Sequence, residues 1–179
     1  MLAGGIESRR QMGPVSISIP IDVPRERAFG FVADLANRPS FMGEFLEEFR
    51  LQQLASVGVG AGARFRVRRP GVWMDSVIEE LEAPYRIFER GSGSRLGAMP
   101  IFTVWELTEA GANGCQVRVV HWTEPSKPLD RIADHRPGLE RSYRRGLTDS
   151  LARLKLALES DQATQRVGVA GGDRVPGAG

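Results

Sequence analysis

Residues 137–160 read PGLERSYRRGLTDSLARLKLALES, and their spacing decides the fold. Leu139, Tyr143, Leu147, Leu151, Leu154 and Leu158 recur at steps of three or four, the repeat of one helical face. Arg141, Arg144, Arg145 and Arg153 fall mostly off that stripe. Pro137 near the start and Lys155 near the end suit the polarity of a helix. The segment predicts about six turns, enough to cross a whole sheet. So long an apolar stripe has to be buried, and the remaining chain must supply the surface that buries it.

Working back from the helix, the chain from about 46 to 124 reads as strands. LEEFRLQQL comes first, then Ala63–Arg69, Val72–Leu81, Tyr85–Arg90, Ile101–Leu107 and Cys115–Thr123. The connections VGVGAG, EAPYR, GSGSRLGAM and TEAGANG are short, which predicts an antiparallel meander and not βαβ crossovers. Ahead of it, Val15, Ile17, Ile19 and Ile21 alternate with Ser16, Ser18, Pro20 and Asp22 as a half-buried strand. Pro20, with no N–H, suits an edge position. VPRERAFGFVADLAN then changes period, with Ala28, Phe29, Val32 and Leu35 on one helical face and Phe31 beside them. Asp22 reads as a cap or turn residue and Pro24 as a first-turn residue, while Asn37 and Pro39 read as the stop. PSFMGEF follows as a second short helix or turn.

These elements predict an α+β fold: a curved seven-stranded antiparallel sheet wrapped around a long C-terminal helix, with two short helices after the first strand. Its working unit is residues 14–160. Residues 1–13 are read as a flexible N-terminus and 161–179 as a disordered Gly/Ala-rich tail, because neither can bury enough apolar surface to offset its ordering entropy. A bent sheet and a straight rod match poorly in shape, so a space is expected between them, lined by alternate strand residues.

Composition narrows the function. The 179 residues are 41% hydrophobic and 26% charged, values of a globular protein with a core. Twenty-four basic residues against 22 acidic ones leave a formal charge of +2, a weak long-range field. The single cysteine, Cys115, excludes an internal disulfide and fits a reducing compartment. Two widely spaced histidines and one cysteine make no zinc set, so no metal site is expected. VGVGAG precedes a strand and is no phosphate loop, and no G-x-S-x-G elbow occurs. The arginine rows at 64, 66, 68 and at 141, 144, 145 sit near Glu79, Glu80, Glu82 and Glu140, which favours solvated faces over nucleic-acid binding. No apolar run approaches the ~20 residues of a membrane span, and the start resembles no signal peptide. The expected setting is cytoplasmic, with no stable membrane insertion.

The opening strand with VPRERAFGFVAD, the Asp34…Pro39…Phe41 stretch, the Gly-rich turn at 57–62, the EAPYR turn and the closing LARLKLALES carry a likeness. Over about residues 15–160 the chain resembles the START-like helix-grip (SRPBCC) superfamily, in its polyketide cyclase/dehydrase and lipid-transport branch. That resemblance implies a hydrophobic ligand cavity beneath the long helix and no cofactor. It leaves the reaction open, because such domains include binders, carriers and cyclases.

Strand phase proposes the cavity wall. Ile101, Thr103, Trp105 and Leu107 face inward on one strand, Val117, Val119 and His121 on its hairpin partner, and Phe65 and Val67 on an earlier strand. Core filling uses the same residue types, so the apolar members serve either purpose. His121 is the polar candidate, able to hold a ligand carbonyl or move a proton, or else a satisfied buried imidazole. His135 reads as exposed or capping. Arg69, Asp75, Ser76 and Glu89 stand in strands from which a polar group could reach the cavity, with surface charge as the plainer reading. Glu89 is in phase with Ile87, and an inward carboxylate needs an arginine or a proton. On the 72–81 strand, Met74, Ser76 and Ile78 compete with Trp73, Val77 and Leu81 for the inside. Tyr143, Gly146 and Leu147 complete the wall from the helix, Gly146 either leaving room for a ligand or permitting close packing.

Three functions follow. The first is binding of an apolar or aromatic small molecule, polyketide- or lipid-like, between sheet and helix. The second is a cyclase- or dehydratase-type enzyme in the same cavity, with His121 as proton shuttle and Tyr143 or Glu89 assisting. The third is a protein-interaction module with a vestigial cavity and a closed core, and a protein partner or homodimer stays open.

Overall fold

Alternation in the sequence becomes a single seven-stranded antiparallel sheet in the order β1-β7-β6-β5-β4-β3-β2. The computed structural model describes residues 14–93, 99–124 and 138–160. The expected flexible N-terminus and tail, His135 and Pro137 lie outside the described residues. The strands are β1 (Val15–Ile21), β2 (Leu46–Leu51), β3 (Gly62–Val67), β4 (Val72–Glu82), β5 (Arg86–Gly93), β6 (Pro100–Ala110) and β7 (Gly114–Thr123). Two short helices, α1 (Arg25–Ala33) and α2 (Arg38–Met42), separate β1 from the meander, and α3 (Leu139–Glu159) closes the fold. The α+β helix-grip arrangement is therefore the one the periodicities predict.

β1 pairs with β7, Val15 opposite His121 and Ile21 opposite Cys115, so first and last strands meet. β1 and β2 are the two rims of the sheet. The β1 rim carries Pro20, whose carbonyl accepts from Lys155 Nζ at 2.8 Å. The β2 rim is bulged between Glu47 and Arg50, where Glu48 takes a φ of 54°. Lys155 also pairs with Glu159 at 3.0 Å, and Glu159 accepts from the Asp22 N–H at 2.8 Å. These contacts pin the end of α3 to the end of β1.

The concave face and α3 share one core. Tyr143, Leu147, Leu151, Leu154 and Leu158 are buried on the helix, while Ile21, Val67, Met74, Ile78, Ile87, Trp105, Leu107, Val117 and Val119 meet them from the strands. Leu139 is only partly buried. On the convex face Phe88, Phe102 and Trp122 stack in a ladder, with centroids 6.1 and 5.1 Å apart.

Some local expectations need correction. α1 begins at Arg25 with Pro24 just outside it, the Arg27 and Ala28 N–H groups bond to the Pro24 carbonyl, and no side chain caps the helix, so of its two readings Asp22 keeps only that of a residue in the bend after β1. The chain does not stop at Asn37 and Pro39. Asp34 accepts from the Ala36 N–H at 3.0 Å to start a 3₁₀ turn (Leu35–Asn37), and Pro39 lies in the first turn of α2, where a missing N–H costs nothing. β5 continues through Gly91, expected as loop. A Cβ there would lie 1.8 Å from the Asp75 carbonyl oxygen, so only glycine lets this strand lie so close to β4. On β4, Met74, Ser76 and Ile78 take the inside, and a register shift between Ile78 and Glu80 changes the phase before Leu81.

Candidate functional site

Between the concave sheet and α3 lies a cavity of about 40 Å³. Ligand sites for drug-sized molecules usually measure ~300–1,000 Å³, so this interior as it stands holds little more than a water. Phe65, Val67, Ile101, Thr103, Trp105, His121, Tyr143, Leu147 and Glu89 all border it, as strand and helix phase propose. Leu107, Val117 and Val119 do not. They are buried on the same face but nearer the other end of α3, where the core is filled. Gly146 does not border it either, because the Phe45 ring occupies the space beside it. A Cβ on Gly146 would come within 2.2 Å of that ring. Toward the interior, this glycine permits close packing with Phe45, while it also borders a second, outer concavity.

His121 is only 7% exposed. Its Nδ1 lies 2.9 Å from the Thr103 hydroxyl, and its ring stacks on Tyr143 with centroids 5.1 Å apart. The second nitrogen, Nε2, is buried without a hydrogen-bond partner. Burial lowers the pKa of the ring to about 4, so the imidazole is neutral at pH 7. The Tyr143 hydroxyl approaches Met74 Sδ at 3.7 Å, and Phe45 meets the Tyr143 ring edge-on at 5.4 Å.

Glu89 points inward and is not the surface charge of the plainer reading. Its Oε1 pairs with Arg38 Nη2 and accepts from Trp105 Nε1 at 3.0 Å, while Oε2 accepts from Ser76 Oγ at 3.0 Å. The Arg38 guanidinium lies over the Trp105 ring, 4.6 Å from its centroid, and donates to the Val32 carbonyl at 3.4 Å. Its Nε–H is buried without a partner. Ser76 is thus part of the wall. Asp75 faces the other way and accepts from the Ser92 N–H and hydroxyl, and Arg69 is exposed at the β3–β4 turn.

Sequence reasoning missed Arg38 and Phe45. Arg38 stands beside Asn37 and Pro39, where a helix stop is the obvious signal, and nothing local announces a partner on β5. Phe45, in PSFMGEF, belongs to no periodic run. Among the described residues, no three His, Cys, Asp or Glu side chains converge as a metal site, and no helix is long and apolar enough to cross a membrane.

A curled antiparallel sheet gripping one long helix, with a cleft between them, is the START-like helix-grip class of domain. The family model "Polyketide cyclase / dehydrase and lipid transport" matches residues 12–159. The chain belongs to that family. Solved structures agree on the fold. Protein CV1439 from Chromobacterium violaceum has a TM-score of 0.60 at 18% identity, over 82% of this chain and 96% of that one. A START superfamily protein from Mycobacterium smegmatis scores 0.62 at 13% identity, over 82% and 97%. DynU16, from the dynemicin biosynthetic locus, scores 0.55 at 21% identity, over 83% of this chain and 48% of its own. No curated protein matches the chain significantly.

Proposed function

We propose that this protein binds an apolar or aromatic small molecule, carrying a hydroxyl, between the sheet and α3. The carrying observation is His121 Nε2, a buried nitrogen without a partner on an otherwise largely apolar wall. An unpaired polar group in a core is costly, by ~1–3 kcal/mol, and a ligand hydroxyl relieves that cost. A hydroxyl can donate or accept, so it serves either tautomer of the neutral ring.

The small volume means that a ligand has to enlarge the space. Phe45, Phe49 and Phe65 are the half-buried rings on its border, and Met42 and Met74 are unbranched and adaptable. A closed interior is also what an interaction module would have. The unpaired atoms at His121 and Arg38 favour a ligand over that reading, because a core with no guest gains nothing from them.

Turnover is the second reading, supported by His121, Tyr143 and Glu89 bordering one space. Glu89 is already committed to three donors, and a His121 with a pKa of about 4 is a weak base at neutral pH. Binding therefore ranks ahead of catalysis.

Calorimetric titration with 2-naphthol and naphthalene tests the proposal. The hydroxyl is expected to gain about tenfold in affinity. His121→Phe is expected to erase that difference while keeping the fold. No binding of either probe, or an equal preference in the variant, overturns it.

A further inference from the structure

A second concavity lies outside the interior. It is an open cleft of about 790 Å³ where the first half of α3 faces the α2–β2 connection and the β3–β4 turn. Its apolar part is formed by the half-buried Phe45 and Leu139, backed by the fully buried Phe41. Around these stand five arginines, Arg68, Arg69, Arg141, Arg145 and Arg153, against two carboxylates, Glu44 and Asp149.

Those carboxylates are already engaged. Arg153 pairs with Glu44, and Arg145 lies 3.9 Å from Asp149. Arg68 turns to Glu47 at 3.6 Å and donates to the Gly43 carbonyl at 3.2 Å. Arg69 and Arg141 are exposed and have no ion-pair partner among the described residues. Elsewhere several arginines are matched, as in Arg66–Glu47, Arg86–Glu80, Arg118–Glu106 and Arg144–Glu140, while Arg64 lies over the Trp73 ring and Arg50 has no ion pair among the described residues. Two unmatched cations, Arg69 and Arg141, thus stand together on a concave, partly apolar surface. A concavity of one sign concentrates anions, and the planar guanidinium fits carboxylate and phosphate oxygens in pairs.

Phe45 borders both this cleft and the interior cavity. Its ring packs on the bare Cα of Gly146 and meets Tyr143 edge-on. One aromatic ring therefore stands between the two spaces.

We propose that this cleft binds the anionic end of an amphipathic small molecule, a carboxylate or phosphate monoester on an apolar chain. Arg69 and Arg141 hold the head, and Phe45 and Leu139 take the first part of the chain. The cleft site stands by itself. The continuation of the chain past Phe45 into the interior rests on the function proposed above.

The test titrates the full chain, by calorimetry at low ionic strength, with decanoate, 1-decanol and acetate, and with decyl phosphate against inorganic phosphate. Decanoate is expected to bind at least about tenfold more tightly than 1-decanol or acetate. Decyl phosphate is expected to exceed inorganic phosphate likewise. The Arg69→Gln/Arg141→Gln variant is expected to bring decanoate down to the affinity of 1-decanol, with an unchanged melting temperature. Equal binding of decanoate and 1-decanol overturns the inference, as does undiminished decanoate binding in the variant. Inorganic phosphate binding as tightly as decyl phosphate overturns it too, since the site then recognises only a free anion. Failure of the interior reading looks different: 2-naphthol then fails to bind, while the anion preference and its dependence on Arg69 and Arg141 persist.

Discussion

Arg38 and Glu89, 51 positions apart, close an ion pair in which each side chain keeps only 5% of its surface exposed. The pair anchors α2 to β5 at the cavity wall. Its carboxylate is fully used, by Arg38, Trp105 and Ser76, so neither charge is abandoned in the core.

Removing one partner leaves the other charge buried alone. Arg38→Ala or Glu89→Ala is expected to lower stability by about 3–5 kcal/mol. The Arg38→Met/Glu89→Leu variant is expected to recover most of that loss, because two apolar chains of similar size need no compensating charge. Urea denaturation of the three variants measures it. A double variant no better than either single one would sink the account.

His121 makes stability depend on pH. Its folded pKa of about 4 lies below the ordinary histidine value, so between roughly pH 4 and 6.5 the unfolded chain binds a proton that the folded one refuses. The contribution is complete above pH 6.5, falls as pH drops towards 4, and is flat below. Over that window the loss is about 3 kcal/mol. His121→Phe is expected to flatten this part of the profile, read as unfolding free energy against pH for both proteins.

Gly146→Ala raises helix propensity by ~1 kcal/mol. The added methyl nonetheless collides with the Phe45 ring, so a net loss of about 1–3 kcal/mol is expected. In a Phe45→Ala background the same substitution is expected to stabilise. A thermal double-mutant cycle reads the reversal of sign.

Cys115 is wholly buried, and burial pushes its thiol pKa up, with Arg25 opposing in part. Reaction with a water-soluble disulfide reagent at pH 8 is expected to run at least about a hundredfold slower in native protein than in urea, because the thiol is reached only through opening. Comparable rates would show that the β1–β7 pairing frays freely.

The architecture was legible because periods of two and of three to four leave clear marks, from Val15–Ile21 to the Leu147–Leu158 stripe. Glu89 shows where the marks conflict. Its phase with Ile87 points inward and its charge points outward, and only Arg38, remote in sequence, resolves the conflict. On β4 the register shift near Glu79 breaks the alternation, so two inward sets looked equally good. The size of the hollow was not legible at all. It depends on Phe45, which sits between elements and follows no repeat.

The two rims of the sheet carry a last consequence. Extension of a sheet by a neighbouring molecule needs a straight row of free N–H and C=O groups along an edge. Here Pro20 removes a donor from one rim, Lys155 occupies the carbonyl beside it, and the twist at Glu48 disrupts the other. Fibrillar stacking through strand addition is therefore blocked at both ends, and the molecule can keep a largely apolar interior without becoming a template for aggregation.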